Sequence, residues 1–460
     1  MNQKKIFLSE LDDIQKNIDE NEISVCVIGI GRIGLPTALS FAKSGFKTIG
    51  VDINEELVNK IKNKDFPLKD EPGYQEIFNN VINNDKFSAT TKIEDIVPNC
   101  QIILLSLPTP MDQNNVPDYT ALRIVASQLK NIISIGSIII VESTIEPGFI
   151  ENEFIKIIEN KEHQIKAGKN IGVGVCPETA NPGEIIKDFE NLPRLVGATD
   201  EKTSEIITKI YQHVFPVELI KMPDCKTANA VKLTTNVFRD VNIAFVNELA
   251  LLFEKLGIDI QTVLDAADKK YNFQVHYPGA GVGGPCLPVN SYQILNSAKE
   301  IGNDFLKIVK VSREINESMP YHVVDLLKDA LNEINKKLET SKILILGVSY
   351  KPNIKDIQLS PAQVIISELQ KFGAEIKIFD PFFKDTTVYG IKTANDLEEI
   401  ISDVDAAIIV TSHNEFKKIN PEYFSTKMKS PILVDTRGIM DIHAVKKAGL
   451  IFRGLGRGKI

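Results

Sequence analysis

A glycine-rich turn near the amino terminus constrains the fold more than any other part of the chain. Residues 24–30 (SVCVIGI) form an apolar run typical of a buried strand, which leads into a helical stretch and then a second strand, KTIGVD, that ends in Asp52. The turn carries a GxGxxG pattern that includes Gly29, Gly31, Arg32, Ile33 and Gly34. A dinucleotide-binding βαβ unit requires this order, and Asp52 can bind a ribose 2′-OH while repelling a 2′-phosphate. The turn therefore predicts a Rossmann-like domain that binds NAD rather than NADP.

Strands and helices alternate along most of the chain, which predicts an α/β fold with two Rossmann-like domains joined by a long central helix and a helical dimerisation region. The central helix is expected to begin after Asp224, which suits an N-cap, and to end at Leu256. A second alternation begins at Ser341, but its first turn lacks GxGxxG and is expected to bind something other than NAD. The predicted segments are an amino-terminal arm or surface helix at 1–22, the NAD-binding domain at 23–212, a central helical domain at 213–338 and the second Rossmann-like domain at 339–460.

Composition limits the classes of function. Of the 460 residues, 43% are hydrophobic and 25% are charged, as in ordinary globular proteins, and no apolar run reaches the ~18 residues of a membrane span. The net charge of −8 argues against nucleic acid as a partner. The first 21 residues are charged and lack the apolar core of a secretory signal, so we expect a cytoplasmic protein. The five cysteines are odd in number and form no CxxC pair, which argues against a disulfide framework or a metal site.

Polar segments follow three further predicted strands. The strands QIILLS, SIIIVE and IGVGVC lead into LPTP, STIEPG and PETANPGE, respectively. Ligands of open parallel sheets bind beyond the carboxyl ends of the strands, so Thr109, Thr144 and Glu178 are expected near the nicotinamide. The alternative for each residue is a turn or capping role.

The central helix carries a polar stripe, which contains Cys225, Lys232, Asn236 and Arg239. Spacings of four and seven residues are expected to place these side chains on one side of the helix. A solvated stripe is the alternative, although the opposite face is apolar, with Leu233, Val237 and Ile243. The helix is too long and too apolar to be covered by one small domain, so we expect it to form the core of a homodimer.

Residues 279–290 (GAGVGGPCLPVN) place a cysteine at the expected start of a helix. The glycines allow positive φ and close approach to a ligand, and Pro288 suits a first turn that continues to Glu300. A helix N-terminus lowers a cysteine pKa from its usual ~8.5, so Cys286 is a candidate covalent nucleophile. The alternative is a buried thiol in a tight turn. A further hypothesis is a reversible disulfide between Cys225 and Cys286, against the alternative that Cys225 is buried under the helix.

Two basic residues follow strands of the second Rossmann-like domain. Lys351 and Arg437 could hold a diphosphate there. Surface charges without a ligand are the alternative, and spacing alone leaves both open.

Eight motifs occur in the order found in the nucleotide-sugar 6-dehydrogenases, the UDP-glucose/GDP-mannose dehydrogenase family: GIGRIGLP, LPTP, STIEPG, PETANPGE, KLTTN, GVGGPCLP, YKPN and VDTRG. The chain resembles this family over nearly its whole length. The PExxxPG form around Glu178 and the helix sequence NVFRDVNIAFVNE look more like the branch that acts on UDP-N-acetylmannosamine than the UDP-glucose branch, which has a second glutamate where Pro182 stands.

The resemblance implies a four-electron oxidation of a sugar C6 alcohol to a carboxylate with two NAD. Cys286 would trap the aldehyde as a thiohemiacetal, whose oxidation gives a thioester that water opens. Lys232 and Asn236 would stabilise oxyanions at C6, with Lys232 also a candidate acceptor of the first proton. Glu178 and Thr144 would position the hydrolytic water.

The resemblance also implies two sets of binding residues. The cofactor would be held by the glycine turn with Asp52, Thr109, Ser143, Thr144 and Gln358. The UDP-sugar would be held by Glu178, Thr179, Lys232, Asn236, Arg239, Tyr277, Gly283, Tyr350, Lys351 and Arg437. Of these, Arg239 would help to hold the acetamido sugar, and the carboxyl-terminal domain would close UDP over the cleft through Lys351 and Arg437.

Three residues depart from the family pattern. Asn290 stands where the family usually has an aspartate that helps the hydrolytic water, and it can orient water but cannot take its proton. Gln358 replaces an arginine that reaches the cofactor diphosphate in relatives, and Thr179 replaces an arginine beside the substrate. We expect domain closure and sugar choice to be the properties most affected.

UDP-N-acetylglucosamine and UDP-glucose are alternative substrates. Outside the family, a two-electron hydroxyacid dehydrogenase would have no use for Cys286, and a non-catalytic NAD-binding regulator would need neither Lys232 nor Glu178. The number of NADH formed per sugar separates these functions.

Overall fold

The chain divides into two units, each with its own main sheet, in the computed structural model, which describes residues 5–20 and 22–459. The first unit comprises the described residues up to Thr235 together with Tyr292–Ile301. The second comprises Asn236–Ser291 and the described residues from Gly302 onward.

The first unit is built on a sheet whose strands are β1 Ser24–Ile28, β2 Lys47–Val51, β3 Phe87–Thr90, β4 Ile102–Leu105, β5 Ile138–Val141, β6 Gly172–Val175, β7 Arg194–Ala198 and β8 Leu219–Lys221. Their order is β3-β2-β1-β4-β5-β6-β7-β8, and every neighbouring pair is parallel except β6 with β7. Along β1, Val25 and Val27 enter one apolar layer while Cys26 and Ile28 enter the other. This alternation is expected of a sheet that is covered on both faces.

Helices cover both faces of this sheet. They are α1 Leu11–Asp19, α2 Gly34–Lys43, α3 Glu55–Lys62, α4 Tyr74–Asn83, α5 Ile93–Ile96, α6 Thr120–Ile132, α7 Ile155–Ile158, α8 Ile185–Asn191 and α9 Glu201–Val214. Helix α1 lies against α9 and buries Ile14 and Ile18 completely. Residues 1–4 and 21 of the predicted arm lie outside the described residues.

The helices that follow are α10 Cys225–Leu256, α11 Ile260–Ala267, α12 Leu287–Glu300 and α13 Lys307–Asn332. The 32 residues of α10 give a length of about 48 Å at 1.5 Å per residue. Asp224 caps α10, since its Oδ1 accepts a hydrogen bond from the Thr227 amide at 2.7 Å. The predicted limits of this helix are confirmed.

The second unit contains a six-stranded sheet and a short hairpin. The strands are β9 Lys342–Leu346, β10 Glu375–Phe379, the hairpin β11 Thr387–Val388 and β12 Ile391–Lys392, then β13 Ala406–Ile409, β14 Ile432–Asp435, β15 Ile451–Gly454 and β16 Gly458–Lys459. The sheet order is β10-β9-β13-β14-β15-β16, with only the last pair antiparallel. The helices after β9 are α14 Pro361–Lys371, α15 Asn414–Lys417, α16 Pro421–Lys427 and α17 Ile442–Ala448. The predicted α/β fold with two Rossmann-like sheets is confirmed.

None of the helices in the described ranges is long and apolar enough to cross a membrane.

Candidate active site

The glycine turn after β1 has no room for side chains where the backbone folds back on itself. Gly29 has φ +87°, and a Cβ atom there would lie 2.5 Å from the Ser106 carbonyl oxygen. A Cβ atom at Gly34 would lie 1.8 Å from the Gly29 carbonyl oxygen, whereas one at Gly31 would have nothing within 4 Å. The turn is therefore closed on the protein side and open at Gly31, which suits close approach of a pyrophosphate to the backbone.

Asp52 stands directly after β2, where a ribose acceptor is needed. Its Oδ2 accepts a hydrogen bond from the Ile30 amide at 3.0 Å, and its Oδ1 accepts one from Asn54 at 2.9 Å. These two bonds fix the carboxylate beside the glycine turn. Arg32 forms an ion pair with Asp70. The residues present fit NAD. Ile53, which no motif in the sequence marks, offers a 96% exposed apolar side chain beside Asp52.

The polar residues after β4 and β5 come together. Thr109 donates its hydroxyl hydrogen to the Thr144 carbonyl at 2.8 Å, and Gln293 donates its side-chain amide to the same carbonyl at 3.1 Å. The Ser143 hydroxyl accepts from the Leu107 amide at 2.8 Å. Strands β4, β5 and β6 are neighbours, so their carboxyl ends share one edge of the sheet, as the sequence predicts.

Glu178 follows β6 in the PETANPGE segment and is 9% exposed. Its amide donates to the Glu142 carbonyl at 3.2 Å, and its Oε2 accepts from the Ala180 amide at 2.7 Å. Its Oε1 lies 3.6 Å from Nη2 of Arg194. Thr179 follows and is half-buried. The Glu178 carboxylate is thus hydrogen-bonded to the backbone amide two residues further on and forms an ion pair with a buried guanidinium.

Helix α10 carries the predicted polar residues in three different environments. Lys232 is half-buried, Asn236 is 8% exposed and Arg239 is exposed. The Asn236 side-chain amide donates to Oδ1 of Asn290 at 2.5 Å. The structure therefore brings together two of the predicted catalytic residues, which lie on α10 and in the first turn of α12.

Cys225 does not belong to this polar stripe. It is 1% exposed and packs in an apolar layer of the first unit that also contains Leu195 and Ala228. Burial raises the pKa of its thiol well above the ordinary value. The prediction that Cys225 belongs to one polar stripe with Lys232 is wrong, because the first turn of α10 packs against the sheet. The alternative of a buried cysteine is the one that the structure favours.

Cys286 is exposed and immediately precedes α12. Its carbonyl accepts the first helical hydrogen bond, from the Asn290 amide at 2.9 Å, so Cys286 occupies the N-cap position. The predicted helix start and its end at Glu300 are confirmed, and the alternative of a buried thiol is wrong.

The glycines before Cys286 pack against loops of the second Rossmann-like sheet. A Cβ atom at Gly283 would lie 2.5 Å from the Leu359 carbonyl oxygen, and Gly284, with φ +87°, lies against the Tyr350 ring. The Gly284 amide donates to the Gln358 carbonyl at 2.9 Å. Gly283, Tyr350 and Gln358 are therefore neighbours, and Lys351 follows Tyr350 directly.

Arg437 follows β14 and lies against Gly279 at the start of the same glycine-rich segment. Its Nε donates to the Val410 carbonyl at 2.7 Å, and burial lowers the pKa of its guanidinium. Tyr277 is half-exposed and donates its hydroxyl hydrogen to Asp265 at 3.2 Å. The Arg437 guanidinium is thus half-buried and held by a backbone hydrogen bond, unlike a charge in open solvent.

A buried network that no sequence motif indicates holds both ends of the cysteine segment, residues 279–290. Asp240, which is fully buried, accepts hydrogen bonds from Ser291 at 2.7 Å and from Arg313 and Asn316 at 2.8 Å each. Asn316 in turn accepts from Asn247 at 2.9 Å, and Asn247 accepts from the Gly279 amide at 3.0 Å. The two ends of the segment are therefore tied to the same pair of helices, α10 and α13.

The second Rossmann-like sheet lacks the features of an NAD site. Asp380 follows β10, as Asp52 follows β2, but it is fully buried. It accepts hydrogen bonds from the Val348 amide at 2.8 Å and the Phe382 amide at 2.9 Å, and it contacts Nε2 of His413 at 3.1 Å. No ribose can reach this carboxylate, which agrees with the prediction that this sheet binds another ligand.

Among the described residues, no group of three or more His, Cys, Asp or Glu side chains could hold a metal ion.

Fold and site together define an NAD-dependent dehydrogenase. Three domains of one family match most of the chain: the NAD binding domain at residues 23–215, the central domain at 226–318 and the UDP binding domain at 344–442. The chain belongs to the UDP-glucose/GDP-mannose dehydrogenase family.

Relatives cover nearly the whole chain. A protein of Methanocaldococcus jannaschii named UDP-N-acetyl-D-mannosamine dehydrogenase is 34% identical over 450 residues, which are 96% of this chain and 99% of that protein. The solved structure of a UDP-D-ManNAc dehydrogenase from Pyrococcus horikoshii has a TM-score of 0.88 at 33% identity, covering 95% of this chain and all of that one. A UDP-N-acetyl-D-glucosamine 6-dehydrogenase of Salmonella typhi is 30% identical over 87% of this chain and 92% of its own length.

Proposed function

We propose that the protein oxidises the C6 hydroxyl of UDP-N-acetyl-D-mannosamine to the carboxylate with two NAD⁺, giving UDP-N-acetyl-D-mannosaminuronate. The names of the relatives that span nearly the whole chain support this substrate. The product would supply polysaccharide biosynthesis. The reaction would take place in the cytoplasm, where the Cys286 thiol stays reduced.

The observation that carries the proposal is the exposed Cys286 at the N-cap of α12, next to the buried Asn236 and Asn290 pair. A two-electron oxidation of an alcohol needs no thiol. An aldehyde can lose a second hydride only after a nucleophile has added to its carbonyl carbon, and a thiolate is the strongest such nucleophile among side chains. The position of Cys286 favours the thiolate, since the helix N-terminus presents backbone amides to it.

The chemistry balances in four steps. The C6 alcohol loses a hydride and a proton, and the Cys286 sulfur then adds to the aldehyde carbon while its proton passes to the aldehyde oxygen. The thiohemiacetal loses a second hydride and proton to give a thioester, and water cleaves the carbon–sulfur bond to release the carboxylate and the thiol. Bound NAD⁺ would accept one hydride in each oxidation.

Residues of α10 and of the strand ends would assist these steps. Lys232, one turn before Asn236, would take the alcohol proton and stabilise the C6 oxygen together with Asn236. Glu178 would accept the proton of the hydrolytic water, with Thr144 helping to position it. Asn290 can only orient that water, which makes Glu178 the remaining carboxylate for this task.

Binding roles follow the same pattern. The glycine turn, Asp52, Thr109 and Ser143 would hold NAD, and Gln358 can add only a neutral contact. The sugar and UDP would be held by Thr179, Arg239, Tyr277, Gly283, Tyr350, Lys351 and Arg437.

The test is the number of NADH formed per UDP-sugar consumed. Purified UDP-N-acetylmannosamine is expected to give two NADH, and the same assay with UDP-N-acetylglucosamine and UDP-glucose ranks the alternative substrates by kcat/KM.

Cys286→Ser should bind NAD⁺ but release no carboxylate, because its hydroxyl does not form a readily oxidised adduct. Cys225→Ser is the matched control and should still form two NADH per sugar consumed. One NADH per sugar, or full turnover by Cys286→Ser, would contradict the covalent mechanism.

The proposed assembly is a homodimer that pairs α10. An apolar stripe of Phe238, Phe245 and Leu252 runs along this helix at seven-residue spacing, with side chains 47%, 48% and 49% exposed. A cavity of about 410 Å³ opens beside the stripe and is lined in part by Tyr271, Phe273 and His276. A second copy of the same surface is the occupant we propose, since like apolar stripes of two helices can pack together about a two-fold axis.

A further inference from the structure

A buried arginine forms an ion pair with Glu178 in the first unit. Arg194, the first residue of β7, is 2% exposed. Its guanidinium carbon is 3.8 Å from the centre of the Phe215 ring and 4.4 Å from that of Phe189. These two rings fix the plane of the guanidinium and shield it from water.

Two carboxylates share this guanidinium. Nη2 of Arg194 lies 3.6 Å from Oε1 of Glu178, and Nη1 lies 3.9 Å from Oε1 of Glu142. Among the described residues, neither terminal nitrogen of Arg194 nor Oε2 of Glu142 has a hydrogen-bond partner. Distances just beyond hydrogen-bond range leave the guanidinium able to move toward either carboxylate.

One positive charge cannot neutralise two carboxylates in an apolar surrounding. With both ionised, the cluster would hold a net negative charge out of contact with water, which is costly. Glu142 is the more buried of the two, at 2% against 9% exposure. Burial raises the pKa of Glu142 to about 7, Glu178 adds to the rise, and Arg194 and the Tyr211 hydroxyl oppose it. Glu142 is therefore the group that takes up the proton.

We infer that Arg194 is a positioning residue for Glu178, and that Glu142 competes for the Arg194 guanidinium when it ionises. With Glu142 protonated, the guanidinium is the counter-charge of Glu178 alone and holds that carboxylate in place. With Glu142 ionised, the guanidinium is shared and Glu178 is held less firmly. The inference rests on the proposed role of Glu178 in opening the thioester.

The groups that face Glu142 from the elements around it are Thr37 on α2, Cys176 and Glu178 after β6, Arg194 on β7 and Tyr211 on α9. Burial raises the pKa values of the Tyr211 hydroxyl and the Cys176 thiol, so neither titrates near neutral pH. Tyr211 donates to Oε1 of Glu142 at 2.6 Å. Of Glu142, Cys176 and Tyr211, Glu142 is thus the group whose pKa lies near neutral pH.

The test compares Glu142→Gln, Arg194→Met and Arg194→Lys in the full-length enzyme. Glutamine reproduces the neutral form of Glu142, so the ratio of kcat for Glu142→Gln to kcat for wild type should rise from about pH 6 to about pH 8. Arg194→Met should lower kcat on the order of tenfold or more while KM for NAD⁺ changes little, because hydrolysis is impaired and cofactor binding is not. Arg194→Lys keeps the charge and should recover part of the loss.

The covalent intermediate gives a readout that a merely structural role would not move. Acid quenching during turnover, followed by intact mass measurement, should show more acylated Cys286 in Arg194→Met than in wild type. Glu146→Gln is the matched control: Glu146 is also buried, but it accepts from Asn296 and lies outside the cluster, so its kcat–pH profile should follow wild type.

Two results would overturn the inference: a pH-independent ratio for Glu142→Gln, or Arg194 variants without a loss of kcat and without extra acylated Cys286. Glu178→Gln separates this failure from failure of the proposed function. If Glu178→Gln hydrolyses the thioester at the wild-type rate, the role of Glu178 itself is wrong. If it accumulates acylated Cys286 while the Arg194 and Glu142 variants behave as wild type, only the inference fails. If Arg194→Met does not fold, Glu142→Gln and Arg194→Lys still decide the question.

Discussion

Single buried residues decide how the reactive groups are held, and most of them could not be predicted from sequence. Asp240 follows Arg239 in a helical pattern and carries no local signal of its role. Its partner Arg313 lies 73 residues further along the chain, and spacing within one helix cannot reveal such a contact. The same holds for Arg194, which begins a strand that is otherwise apolar and resembles an ordinary surface residue in the sequence. Residues of the glycine turn were predictable, because their neighbours in sequence are also their neighbours in space.

We expect Asp240→Asn to lower the free energy of unfolding of the protein by about 3 kcal/mol, since it removes the buried carboxylate that pairs with Nη1 of buried Arg313 and leaves that guanidinium the ion pair with exposed Glu317. Urea denaturation measures the loss. Glu248→Gln, which removes an exposed carboxylate from the same helix, is the control and should change the stability little. Equal stability of the two variants would mean that the Asp240 network does not support the cysteine segment.

Elements were predicted best where they are apolar and long. The limits of β1, β2, β4, β5 and β6 agree with the sequence to within one or two residues, because strands that are buried on both faces are continuous apolar runs. Strands β3, β7 and β8 were not predicted: β3 contains polar residues, β7 begins with a charged one and β8 has only three residues. Helix α10 was predicted in full, yet its first turn packs into the core of the first unit. Cys225 is therefore buried in an apolar layer instead of forming part of the polar stripe.

Phe245→Asp tests the proposed pairing of α10. An aspartate in the middle of an apolar interface would be desolvated without a partner, so the dimer should dissociate. Sedimentation velocity at micromolar protein should show a dimer for wild type and a monomer for the variant. Ile124→Asp is the control: Ile124 is 54% exposed, slightly more than Phe245, but lies on α6, and its substitution should leave the dimer intact. A wild-type monomer would refute the proposal.

At the scale of the whole molecule, the two Rossmann-like sheets differ in the environment of the aspartate that follows their second strand. The first sheet keeps Asp52 accessible beside an open glycine turn. In the second, Asp380 is buried, accepts hydrogen bonds from two backbone amides and contacts His413. The presence of two sheets and the absence of GxGxxG in the second were predictable. The internal use of Asp380 was not, because His413 comes from the loop after a different strand.

Hydrogen exchange can test this division of ligands. NAD⁺ alone should slow amide exchange at residues 29–35 and 52–54, and UDP alone should slow it at residues 347–353 and around Arg437, because bound ligands suppress local opening. Asp52→Ala should weaken the first effect and leave the second unchanged. Protection of residues 29–35 by UDP as strong as that by NAD⁺ would contradict the assignment.

The unequal exposure of the cysteines has a practical consequence. All five lie in the described residues, and only Cys286 is exposed, while Cys26, Cys100, Cys176 and Cys225 are buried. A thiol-specific dye added to the native protein should therefore attach once per chain, at the residue proposed to carry the intermediate. The extent of labelling then counts competent molecules in a preparation, so specific activities can be corrected for inactive material before variants are compared.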